Sequence, residues 1–188
     1  MVRYSSNLGR VLLIAGLLVS EPNIAGQIVK SEVTHEEGVY HIVLEVWIEA
    51  PEPMVRELVT AYDYLGQVNP AVQESEIIHT FSPVHHRVRS VIRFCFAFFC
   101  KRMQQVQDVE QLKNGDIVAT ILPEGSDFRA GLARWRLYRE REGTRMQVTA
   151  RLEPDFWVPP VIGPWLIAYK LRGETLESAE NLERLARP

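Results

Sequence analysis

Two cysteines, five histidines and a few carboxylates are the residues that could do chemistry in this chain. Cys95 and Cys100 bracket the sequence Phe-Ala-Phe-Phe. If residues 96–99 form the loop of a hairpin, the two thiols face each other across its neck, at a spacing that a disulfide can bridge. If the segment is instead one straight strand, the odd separation puts the cysteines on opposite faces and no bond forms. Two cysteines without partnering histidines do not match a zinc pattern. His35, His41, His79, His85 and His86 fall in no HxxxH or HExxH frame, so no metal role is expected. His85 and His86 are expected in a solvated turn. The nucleophile elbow, the phosphate loop and the dinucleotide glycine pattern are all absent. Glu45, Asp63, Asp127 and Asp155 could do acid–base work inside a cavity. Asp63 and Asp155 stand beside prolines and aromatics, where turn and capping roles are the expectation. No catalytic residue, no metal ligand and no cofactor is assigned. The tip residues Phe96, Phe98 and Phe99 form an apolar cluster, which marks a membrane or partner contact or the mouth of a site.

Compartment bears on the cysteines. Residues 1–26 carry Arg3 and Arg10, then an apolar run from Val11 to Val19. The run has the length of a signal-peptide core and is too short for a transmembrane helix. This segment is expected to be a signal peptide or an N-terminal membrane anchor, and the protein to be exported, periplasmic or tethered there. An oxidising compartment favours the Cys95–Cys100 disulfide. Residues 27–188 are expected to form one domain, because 188 residues with 46% apolar and 24% charged side chains suit a single sizeable core. A net charge of -3 offers no electrostatic case for nucleic acid.

Those residues need elements to position them. Strands are expected over Gln27–Val33, Val39–Ile48, Val72–Phe81, Arg87–Cys95, Cys100–Val109, Ile117–Leu122, Gly131–Glu140 and Arg145–Glu153, most with one apolar face. Asn114-Gly115 signals a type I′ hairpin turn. Pro51 and Pro53 end the second strand and start a short helix over Met54–Tyr62. From Val158 to Ala186 a long helix is expected, opened by Gly163-Pro164. At 3.6 residues per turn, Val161, Trp165, Ala168, Thr175, Ala179, Leu182 and Ala186 share a face, while Glu174, Glu177, Glu180 and Glu183 fall largely elsewhere. An antiparallel sheet apolar on one side needs one cover, and that helix is the candidate. The fold class is α+β, with the sheet curled around the C-terminal helix.

Two stretches carry a family resemblance. VWIEAPEPMVRELVTAYDYLGQVNPAV (46–72) resembles the strand, proline break, helix and closing Asn-Pro loop of the START-like (SRPBCC) superfamily. SDFRAGLARWRLYREREGTRMQVTARLEPDFWVP (126–159) resembles its late hairpin, with a tryptophan in the first strand and an aliphatic second strand. The chain is most similar to the bacterial polyketide cyclase/dehydrase and coenzyme Q-binding branch, over roughly residues 27–186. The resemblance implies a helix-grip fold and a cavity between sheet and final helix. It implies a hydrophobic small molecule or lipid as partner, a quinone among the candidates; a membrane surface is a further candidate partner through the Phe96, Phe98 and Phe99 tip, and nucleic acid is not expected as one. Tyr62, Tyr64, Phe94, Trp135, Met146, Val148, Trp165 and Tyr169 are the residues expected to line the cavity, with Trp165, Ala168 and Tyr169 against Trp135 and Val148. A non-enzymatic carrier is favoured over a cyclase or dehydrase on a cyclic apolar substrate, and over an interaction module with a filled pocket.

Overall fold

The computed structural model describes residues 26–96, 99–158 and 163–187. Period-2 alternation produces eight strands: β1 (Gln27–Glu36), β2 (Val39–Ile48), β3 (Val72–Ser82), β4 (His85–Phe96), β5 (Phe99–Gln111), β6 (Ile117–Leu122), β7 (Phe128–Glu140) and β8 (Gly143–Pro154). They form one antiparallel sheet in the order β1-β2-β8-β7-β6-β5-β4-β3. Between β2 and β3 lie α1 (Glu52–Thr60), a 3-10 turn (Tyr62–Tyr64) and α2 (Leu65–Val68). The chain ends in α3 (Gly163–Leu185). This is the expected α+β architecture, a long C-terminal helix gripped by a curled antiparallel sheet.

Hairpin chemistry sets the register. Glu37 and Gly38 both take positive φ, 49° and 85°, which makes the β1–β2 turn a tight two-residue one. The turn after β5 differs from the expected type I′, which requires positive φ at both central residues. Here Gly115 alone takes it, at 86°. Asn114 instead accepts the Asp116 backbone N–H on its side-chain oxygen at 3.1 Å, and a longer loop results. His85 and His86 begin β4 and do not sit in a turn. Ladder pairing puts Cys95 opposite Cys100, and the two are joined in a disulfide. The expected contact surface lies outside what the structure describes, which leaves out Phe98 and the side chains of Phe96 and Phe99.

Two apolar clusters lie on the sheet's concave side. One joins Val46, Ile48 and Met146 to Val55, Val68, Ala179, Leu182 and Ala186. The other joins Tyr62 to Val88, Val109, Ile117 and Ala119. The helix lies chiefly over β1 and β2 and against α1 and α2. Its C-terminal half makes the close contacts, through Ala179 and Leu182. Asn181 adds a hydrogen bond from its amide to the Val68 carbonyl, at 3.1 Å.

Glu183 departs from the expected amphipathic pattern. It is buried, not solvated. Its Oε1 accepts hydrogen bonds from the backbone N–H of Gly26, at 2.9 Å, and of Glu49, at 2.8 Å. A carboxylate can lie inside because it satisfies two donors that the ends of β1 and β2 leave free. Replacing Glu183 by leucine strands both donors, and the expected loss is about 2–4 kcal/mol of unfolding free energy. Glu183→Gln keeps an acceptor oxygen and should lose less than half as much. Urea unfolding of the two variants checks this; equal losses would show that the carboxyl group's hydrogen bonds do not hold the strand ends.

Candidate functional site

Between the sheet and the N-terminal half of α3 lies a cavity of about 860 Å³. Its walls follow from strand alternation. Ile42, Leu44 and Val46 of β2 line it, with Ser90, Ile92 and Phe94 of β4. Trp135 and Ala133 come from β7, and Met146, Val148, Ala150 and Leu152 from β8. The helix contributes Leu166, Ile167, Leu171, Glu174, Thr175, Ser178 and Leu182.

Register shows how the cavity runs. At one end Tyr62 packs with Val88, Val109 and Ile117. Val88 pairs with Gln107, and Ile117 with Trp135. At the other end Phe94 pairs with Lys101, beside the disulfide, and the lining includes Phe128, Phe156 and Trp157. Val88 and Phe94 are six residues apart on one strand, so the ends are separated by roughly 20 Å at the usual rise per residue. The exposed Trp157 marks the mouth. There the Lys101 ammonium lies 4.3 Å from the centre of the Phe156 ring, a cation–π contact.

Of the eight residues expected in the lining, the structure brings five together: Tyr62, Phe94, Trp135, Met146 and Val148. Tyr64, Trp165 and Tyr169 are not among the lining residues; they are 64%, 66% and 65% exposed. The helix is turned by about one position from the expected face. Leu166 and Ile167 point in, and Trp165 and Tyr169 stack on each other outside, with ring centres 6.4 Å apart. A stretch that is apolar all round carries no periodicity to choose a face. Sequence reasoning missed Gln105, Gln107 and Glu174. The first two continue the alternation Lys101, Met103, Gln105, Gln107, Val109 along β5, but a polar residue at an inward position hides that pattern.

The four candidate carboxylates sit elsewhere. Glu45 pairs with Arg145 at 2.8 Å. Asp63 accepts the Ile77 backbone N–H at 2.8 Å, and Asp127 that of Gln104 at 2.7 Å. Asp155 lies 3.6 Å from Arg129. None lines the cavity. Among the described residues no group of three or more His, Cys, Asp and Glu could hold a metal ion, and no helix is long and apolar enough to cross a membrane.

The polar atoms inside are few. Gln105 donates from its amide to the Ser90 hydroxyl at 3.2 Å. Tyr62 is only 5% exposed, and its hydroxyl has no hydrogen-bond partner among the described residues. Burial pushes its phenol up to about 12, a rise that the nearby Gln111 side chain only partly offsets. Burial also raises the Glu174 carboxyl above its ordinary value; Lys170 pulls it back and Glu177 adds to the rise.

Solved structures place this geometry. A START superfamily protein from Mycobacterium smegmatis superposes with a TM-score of 0.60 at 21% identity, over 78% of this chain and 96% of its own. A STAR-related lipid transfer protein from Xanthomonas axonopodis gives 0.58 at 13% identity, over 84% and 99%. An aromatase/cyclase from a Streptomyces species gives 0.54 at 12% identity, over 79% and 91%. The fold is the START-like helix-grip fold. No protein-family model and no curated protein matches the sequence. The helix-grip arrangement accounts for why the concave face of β4–β8 is left open beneath α3.

Glu174 provides a test of the cavity's polarity. A raised carboxyl binds its proton more tightly in the folded chain than in the unfolded one. Stability therefore falls as pH rises from the ordinary glutamate range through the raised value. Glu174→Gln should remove that slope. The variant should match the parent at pH below the window and exceed it above. Urea midpoints across a pH series read the difference, and parallel curves would show that Glu174 is not desolvated.

Proposed function

We propose that this protein is an exported carrier or chaperone for a hydrophobic or lipid-like small molecule, held between the sheet and α3. The observation that carries the reading is the cavity of about 860 Å³ with an almost wholly aliphatic and aromatic lining. Its size falls within the usual range for small-molecule sites. An interior left open at this scale is unfavourable unless something occupies it. A lipid transfer protein with the same fold supports a ligand of this kind.

A cyclase-type enzyme is the second reading, supported by the aromatase/cyclase of the same fold and by the raised carboxyl of Glu174. Acid–base chemistry on a cyclic substrate calls for a positioned pair of proton-transfer groups. Glu174 is the one carboxylate in the lining among the described residues, and no histidine joins it. Carriage is therefore the better fit. A filled-pocket interaction module fits less well, because this pocket is not filled.

Export rests on residues 1–26 as a signal peptide or membrane anchor ahead of a helix-grip domain over residues 27–188. The Cys95–Cys100 disulfide supports an oxidising destination. Fractionation of cells carrying the C-terminally tagged chain should recover it outside the cytosol or on the membrane; a full-length cytosolic product would sink the export reading.

Ala150 pairs with Ala133 on β7 and with Ile42 on β2, and all three line the cavity. Ala150→Trp should fill that space. Binding of the apolar dye N-phenyl-1-naphthylamine should weaken at least tenfold while the circular dichroism of the fold is kept. Dye binding that is absent in the parent, or unchanged in the variant, would count against a ligand cavity. Native mass spectrometry of the protein from its own host should show a co-purifying apolar molecule.

A further inference from the structure

The Cys95–Cys100 link stands on the face of the sheet away from the cavity. Phe94 and Lys101 line the cavity, and their neighbours Cys95 and Cys100 alternate to the other side. Cys100 is exposed and Cys95 half-buried. The guanidinium of Arg93, itself exposed, lies against both sulfurs. Its Nε donates to Cys95 Sγ at 3.1 Å, and its Nη2 to Cys100 Sγ at 3.5 Å. Arg93 forms no ion pair among the described residues. Arg102, opposite it on the ladder, is held by Glu74 at 2.7 Å. The Arg93 backbone is fixed as well, its N–H donating to the Ala71 carbonyl at 2.7 Å.

We propose that Cys95–Cys100 is a thiol–disulfide exchange site that accepts two electrons from a dithiol, with Arg93 stabilising the departing Cys95 thiolate. A disulfide sulfur is a weak acceptor and gains little from a guanidinium. A thiolate gains a charge-assisted hydrogen bond from the same group. Arg93 therefore favours the reduced state over the oxidised one, and a stabilised leaving thiolate departs faster. Only residues 96–99 lie between the two cysteines, and a loop this short gains little from being closed. The β4–β5 ladder runs from His85–Glu110 to Phe96–Phe99, so the fold persists when the bond opens. Exposure completes the case, because exposed disulfides are the ones that exchange.

The step balances as follows. One thiolate of the dithiol attacks Cys100 Sγ, the more accessible sulfur. The Sγ–Sγ bond breaks, and its electron pair leaves on Cys95 Sγ beside the Arg93 Nε. The second thiol of the reductant loses its proton and attacks the first sulfur. That closes the reductant's own disulfide and frees Cys100, which takes up a proton. The dithiol is oxidised by two electrons, and the protein is left with a Cys100 thiol and a Cys95 thiolate.

The oxidised full chain, equilibrated with mixtures of reduced and oxidised glutathione and then alkylated, gives the reduced fraction by mass. Dithiothreitol under second-order conditions gives the rate. The wild-type link should be partly reduced in the glutathione mixtures. Arg93→Met should shift that equilibrium about tenfold toward the disulfide and slow dithiothreitol about fivefold. Arg93→Lys should recover part of both. Arg102→Met, which removes a neighbouring charge held by Glu74, should stay within twofold of wild type. The side chains changed are exposed, and circular dichroism of each variant, oxidised and reduced, should match the parent. A link that stays oxidised in every glutathione mixture overturns the proposal. So does an Arg93→Met variant equal to wild type in both equilibrium and rate. Loss of the sheet signal on reduction would show a structural brace instead, and overturns it too.

Discussion

A single buried carboxylate ties the last helix to the beginning of the sheet. Glu183 on α3 takes the N–H of Gly26, just ahead of β1, and that of Glu49, just after β2. Near it Ala179 and Leu182 pack against Val46 and Ile48. These contacts all belong to the C-terminal half of α3. They fix the helix over β1 and β2, at one side of an eight-stranded sheet. One helix, roughly 10–12 Å across with its side chains, cannot also cover β4 to β7. Strands about 4.8 Å apart make that part of the sheet too wide for it. The open volume under the N-terminal half is the geometric remainder of where the helix is anchored.

The two ends of that volume are built differently. The inner end is closed by the 3-10 turn that carries Tyr62, which the sequence places after the Pro51–Pro53 break. Asp63 holds the turn to β3 through the Ile77 N–H. A carboxylate that could have served catalysis is thus used to set the position of its neighbour, Tyr62. At the outer end the Cys95–Cys100 bond closes the β4–β5 ladder one step beyond Phe94 and Lys101. A covalent link there keeps the two strands in register where the sheet has no helix to pack on. It holds the rim without adding any side chain to the interior.

Strand alternation made most of this legible beforehand. Tyr40, Ile42, Val46, Ile92, Phe94, Trp135, Met146 and Val148 all face inward in the structure, and a period of two leaves little choice about which face they share. The proline break, the Asn-Pro loop and the late hairpin carried the fold. The helix was less legible, for two physical reasons. Its first turns are apolar all round, so burial there is decided by the neighbours that Trp165 and Leu166 meet and not by spacing. Glu174 and Glu183 read as solvent-facing because charge usually marks an outer face. Their places depend on partners far away in the chain, the N–H groups of Gly26 and Glu49 for one and the cavity for the other. Gln105 and Gln107 were hidden for the converse reason: polar residues on the inner face of β5 look like a strand facing water.

These hidden polar residues bear most on what the cavity can do. An aliphatic lining alone would accept any apolar molecule of suitable length, because burial is non-directional. Discrimination comes from buried polar groups, since a ligand that fails to satisfy them leaves them unpaired. Tyr62, Gln107 and the Ser90–Gln105 pair lie toward one end, while Lys101 lies at the other. An asymmetric arrangement of this kind distinguishes the two ends of a ligand as well as one ligand from another. If the cavity takes a ligand, the groups that discriminate belong to the strands β4 and β5 and to the 3-10 turn, and α3 sets how much room there is.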